Sequence, residues 1–143
     1  MKSMNSRKLY VAIGMIAAVV ALYYWGHRPT GEIARIRPIP TSQLSQLAQL
    51  GERAFNANCS TCHGQNGAGT DKGPPLIHQI YNPGHHSDEA FYRAVARGSR
   101  QHHWPFGDMP PQPQVSRDEV AQIIAYVRQL QAANGIHYKP HRM

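Results

Sequence analysis

The chain has 143 residues, of which 41% are hydrophobic and only 16% charged, with 12 Gly, 11 Pro and two Cys, and it carries a formal net charge of +7. That length suffices for one domain; the Gly pattern excludes collagen, and two cysteines form at most one bridge, too few for a disulfide scaffold, while one structural disulfide would leave the long loops without a core. The basicity does not mark a nucleic-acid protein, because residues 1–40 hold six basic residues against one acid while the rest holds nine against seven. Charge so placed flanks an apolar segment and orients a membrane span instead of binding phosphates.

In chain order, residues 1–8 form a short basic N-terminus and residues 9–25 (LYVAIGMIAAVVALYYW) a charge-free run. As a helix that run is about 25 Å long, just short of a hydrocarbon core. Tyr23, Tyr24 and Trp25 supply an interfacial belt, so the expectation is a transmembrane signal anchor. A cleaved signal peptide, with Val19 and Ala21 at its small-residue site, leaves an apolar Leu-Tyr-Tyr-Trp stub and is the weaker reading. Residues 26–41, with Pro29, Pro38 and Pro40, read as a semi-extended linker with little to pack, reaching up to about 50 Å.

Residues 42–135 hold three helical patterns and no strand pattern, an all-α reading. The first starts near Thr41 or Ser42, puts Leu44, Leu47, Gly51, Ala54 and Phe55 on one face, and ends at the cysteines. The second starts at Ser87, has Asp88 and Glu89 in its first turn and stops at Gly98. The third opens with a Ser116/Glu119 capping box and a Val115/Val120 staple, buries Val120, Ile123, Ile124, Val127 and Leu130 or Gln131, and ends at Asn134-Gly135. Residues 136–143 form a tail. Between the helices, residues 64–115 contain seven of the glycines and seven of the prolines. Connections that long need something to wrap.

Cys59-Ser60-Thr61-Cys62-His63 is a C-x-x-C-H run, the pattern of covalent haem c attachment. Two thiols three positions apart at a helix end reach the two vinyl groups of one porphyrin edge, while the next imidazole approaches the iron. Zinc needs four ligands, usually with further cysteines; a thioredoxin-like pair needs a βαβ setting. Met109 is the one methionine inside the domain, and Pro110 and Pro111 after it bias it toward a stiff extended loop, which makes it the expected second axial ligand. His78, His102 or His103 are the other distal choices. Trp104 is placed to donate its indole N–H to a haem propionate or to lie half-buried at the surface. The pairs His85-His86 and His102-His103 bracket the second helix, whose ends lie about 16 Å apart, too far for one metal ion unless the loops fold back.

With these motifs, residues 42–135 resemble a class I monohaem cytochrome c of the membrane-anchored bacterial type. The family's G-P-x-L loop corresponds to Gly73, Pro74 and Leu76, and the resemblance implies that the Pro74 carbonyl accepts the His63 imidazole N–H. Its crossed terminal helices correspond to Gly51 and Phe55 facing Ile123 and Tyr126. The resemblance thus implies a small fold of three main helices and long loops around one covalently bound haem c, cofactor residues Cys59, Cys62, His63, Met109, Pro74, Leu76 and Trp104, and iron ligands His63 and Met109. With both ligands in place the iron has no vacant site, which argues for an electron carrier and against a catalyst. The partners expected are a quinol-oxidising donor and an oxidase or reductase acceptor of a bacterial inner membrane, with the head in the periplasm. A fixed haem subunit of a larger complex is the alternative, and a haem sensor or peroxidase a third. With only Lys72 and Lys139 in or beside the head, docking by a lysine ring is not expected.

Overall fold

The structure is a computed structural model that describes residues 6–26 and 36–140. It divides into two units, residues 1–34 and 35–143. In the first, helix α1 spans Ser6–Gly26. Tyr10 and residues 13–23 are all exposed. Among the described residues, no helix is long and apolar enough to cross a membrane. The side chains of Tyr24 and Trp25, residues 1–5, the linker stretch 27–35 and residues 141–143 lie outside the described residues.

The second unit is helical: α2 (Gln46–Asn58), a single turn α3 (Ser60–His63), α4 (Asp88–Arg97) and α5 (Arg117–Ala133). The expected start of α2 near Thr41 is corrected. Residues Thr41–Gln43 make a 3₁₀ turn, and Ser45 caps α2, its side chain accepting from the Ala48 N–H. A cap oxygen there satisfies one of the orphan N–H groups of the first turn, as Thr41 does not. Ser87 stands at the start of α4 but makes no side-chain cap bond; Asp88 and Glu89 supply the favourable charge instead. The third helix starts as its sequence dictates. Glu119 accepts from the Ser116 N–H and hydroxyl, both at 2.8 Å, and the Glu119 N–H donates to Ser116 Oγ.

Helices α2 and α5 cross in close contact, and this seam is the core. Ala48, Phe55, Val127 and Leu130 are fully buried, with Leu44, Val120, Ile123 and Ile124 around them. Rows of apolar side chains on each helix interdigitate, and the burial supplies the main stabilisation. Gly51 sits where a β-carbon would overlap the Gln122 carbonyl, so only Gly permits the crossing. The rings of Phe55 and Tyr126 meet at 5.6 Å between centroids.

The end of the expected linker is not free. Ile36 and Ile39 pack against the core, and Arg37 exchanges two backbone hydrogen bonds with the Asn134 side chain. The start of the tail is also docked. Ile136 is buried, and Lys139 donates from its backbone to Asn82 and from Nζ to Gln79.

Helix α4 packs on α5 but buries no residue completely. Phe91, Ala94 and Val95, which share one face at helical spacing, instead line a cavity.

Candidate functional site

The cavity has a volume of about 680 Å³, within the usual range for a bound organic group. Its walls draw on every part of the head: Phe55 from α2, His63 from α3, Ile123 from α5, the apolar face of α4 and both long loops. Six of the seven residues singled out from the sequence come together here, namely Cys59, His63, Pro74, Leu76, Trp104 and Met109. Cys62 is not among the wall residues and is exposed.

His63 ends the turn α3, and its ring is fixed from behind. Its Nδ1 lies 2.9 Å from the Pro74 carbonyl oxygen. A carbonyl can only accept, so Nδ1 carries the proton and Nε2 is left as the ring's lone-pair nitrogen. Burial, opposed by the Pro74 bond, lowers the His63 pKa and keeps the ring neutral. The loop that carries Pro74 is pinned in turn. Thr70 Oγ1 donates to the Cys62 carbonyl at 2.6 Å, the Gly69 N–H donates to the His63 carbonyl, and the Leu76 and Ile77 N–H groups both donate to the Gly67 carbonyl. Cys59 and Cys62 are free thiols. Burial, reinforced by Cys62, pushes the Cys59 thiol up to about 11, so it stays protonated and resists non-specific oxidation at neutral pH.

Met109 reaches the cavity from the second loop. Its backbone N–H and C=O pair with Ser99 in an isolated antiparallel bridge, at 2.8 and 2.9 Å. Gly98, at φ +76°, makes the reversal that begins this loop, and a β-carbon there would strike the Met109 carbonyl. The bridge closes residues 99–109 into a loop that swings His102, His103 and Trp104 back over the cavity. The indole Nε1 of Trp104 is buried without a partner of hydrogen-bonding geometry. Burial raises the Tyr81 phenol pKa, and the indole N–H beside it, short of good hydrogen-bond geometry, offsets part of that rise. A buried, unsatisfied N–H at a cavity wall points to an acceptor on whatever the cavity holds.

The condition under which the two histidine pairs could meet is fulfilled. Both loops fold back, and His85 Nε2 lies 3.2 Å from His103 Nε2. His86 and His102 stack at 5.8 Å, and all four rings line the cavity. The roles of two residues were not expected from the sequence. Arg128 bonds Asp88, the Tyr81 and His86 carbonyls and Gln131; Gln131, fully buried, donates to the Leu76 and Tyr81 carbonyls. Together they clamp the loop that bears His85 and His86. Only the position of Gln131 in the α5 apolar stripe hinted at this.

A family model described as cytochrome c matches residues 48–131. No curated protein and no solved structure matches the chain. The family implies a covalently bound haem c and electron transport, and the cavity residues fit that group: a neutral imidazole with its tautomer fixed, a thioether on a closed loop, a protonated thiol in the wall and an unsatisfied indole N–H.

Proposed function

Because the chain belongs to the cytochrome c family, we propose that it carries single electrons between respiratory complexes, with one haem c joined to Cys59 and Cys62 and ligated by His63 and Met109. The observation that carries this reading is the convergence of His63, Cys59 and Met109, from three separate segments, on one cavity of about 680 Å³. Haem c, when bound, supplies a one-electron iron couple whose potential rises with Met/His ligation.

The chain's own residues hold that couple steady. Pro74 fixes the His63 ring plane, and the Ser99 bridge with Pro110 fixes Met109. Rigid ligands keep the rearrangement on electron transfer small. Leu76, Phe55 and Ile123, all buried, exclude water from the cavity wall. Trp104 Nε1, buried without a protein partner, would donate to a haem propionate. If His63 and Met109 both held the iron, no position on it would be left for a substrate, which favours a carrier over a peroxidase or sensor.

The membrane tether is part of the same proposal and rests on the charge-free run of the sequence, since no helix among the described residues is long and apolar enough to cross a membrane. Helix α1 contains the charge-free run 9–25, and the apolar side chains of Ile13, Ile16, Val19 and Leu22 are exposed along it. An exposed apolar surface of that kind calls for lipid or a partner. Anchoring in a bacterial inner membrane, head in the periplasm, puts the cavity within reach of a quinol-oxidising donor and an oxidase or reductase acceptor.

The test is spectroscopic. The oxidised protein shows a methionine–iron charge-transfer band that is lost in Met109→Ala; its survival in the variant overturns the ligand assignment. Rapid carbon monoxide binding by the reduced wild type overturns the carrier role. Stoichiometric co-purification with one complex after detergent extraction replaces the shuttle with a fixed subunit.

A further inference from the structure

Three histidines from the two ends of α4 meet in a way the haem reading does not use. The coordinating nitrogens of His85, His86 and His103 all lie within 4.8 Å of one another, and the His85 and His103 Nε2 atoms are 3.2 Å apart. Zinc–imidazole bonds of about 2.0–2.1 Å in tetrahedral geometry set neighbouring nitrogens about 3.4 Å apart. The observed pair, in hydrogen-bond contact with each other, already stands close to that separation.

The ring orientations agree with ligation. His86 Nδ1 donates to the Ile80 carbonyl at 2.8 Å, which presents Nε2 as the lone-pair atom. That is the outer-shell arrangement that holds metal-bound imidazoles in place. The backbone of the same residue is clamped by Arg128, which bonds the His86 carbonyl. The three rings are half-buried, and no carboxylate belongs to the group. Hard cations such as Mg²⁺ and Ca²⁺ want oxygen ligands, whereas three imidazoles suit zinc and copper.

We propose that His85, His86 and His103 form a second metal site, distinct from the haem iron, that takes one borderline divalent transition-metal ion, Zn²⁺ or Cu²⁺, with its fourth position open. The site goes beyond the electron-carrier reading and stands on geometry that does not require it. Three neutral ligands and an open position describe a centre able to bind an exogenous anion or water.

The experiment uses the full-length haem-loaded protein in detergent, titrated calorimetrically with zinc chloride or copper chloride alone. One saturable equivalent of each is expected, Cu²⁺ the tighter and Mg²⁺ without effect. His103→Ala and His85→Ala weaken Zn²⁺ at least tenfold, while His137→Ala, in the exposed C-terminal stretch, leaves it unchanged. In the wild type, the electron paramagnetic resonance spectrum of bound Cu²⁺ shows coupling to three nitrogens, a readout independent of any variant's folding. Absence of saturable binding, affinity unaffected by His103→Ala, or copper coupled to fewer than three nitrogens overturns the site. So does binding that appears only after removal of haem, which would assign the imidazoles to haem propionates.

Discussion

Gly51 lies against the carbonyl of Gln122 so closely that the α2–α5 crossing leaves no room for a β-carbon. Two effects of Gly51→Ala oppose each other. Helix propensity favours Ala by about 1 kcal/mol, whereas forcing an extra carbon into a packed seam costs about 1–3 kcal/mol. Because the opposing atom is backbone and cannot rotate aside, the steric cost wins. Gly51→Ala is expected to destabilise the haem-loaded protein by up to about 2 kcal/mol, read as a lower urea midpoint. An unchanged or higher midpoint contradicts the crossing geometry.

Gln131 has no exposed surface, and its amide satisfies the Leu76 and Tyr81 carbonyls while accepting from Arg128. Gln131→Leu keeps the volume but strands these groups, and a buried group left unsatisfied costs about 1–3 kcal/mol. A loss of that size in denaturant unfolding is expected. The cavity wall at Leu76 loosens with it, so amide hydrogen exchange at Leu76 and Ile77 should quicken more than in the α2–α5 seam. Equal exchange rates would show that Gln131 merely fills space.

Tyr126 donates its hydroxyl to Asn66 Oδ1 at 3.0 Å, and Asn66 sits at φ +55°, an αL position a non-Gly residue holds only with support. Burial, with Glu52 nearby, pushes the Tyr126 phenol from 10.0 up to about 12. Between those values the unfolded chain has lost the proton and the folded one retains it. The unfolded state therefore binds fewer protons, and stability falls as pH rises from about 10 toward 12. Tyr126→Phe is expected to cost about 1 kcal/mol at neutral pH and to flatten that alkaline decline, measured as thermal midpoint against pH. A decline equally steep in the variant contradicts the assignment.

What the sequence made legible was whatever is local or unique. The α5 capping box closes over three residues, so its pattern survives in one dimension, and Met109 stood out because no other methionine lies inside the head. The histidine cluster was hidden, since it depends on a chain reversal at Gly98 and a bridge between Ser99 and Met109 that no periodicity announces. Arg128 read as an ordinary polar position and Gln131 only as a possible member of the buried stripe, because the carbonyls they bond belong to a loop more than forty residues away. Ile36 and Ile39 were missed for the opposite reason: two isolated apolar residues in a Pro-containing stretch look like a tether until a groove is there to receive them.

The two hydrogen bonds between Ser99 and Met109 fasten a single closed loop that presents a sulfur at one end and imidazoles along its span. Strain introduced at either chemistry is shared through that fastening, so neither can be adjusted alone. A substitution among residues 100–108 that alters metal uptake should also shift the electron affinity of the iron, whereas one in the distant helix seam should leave the pairing of the two intact.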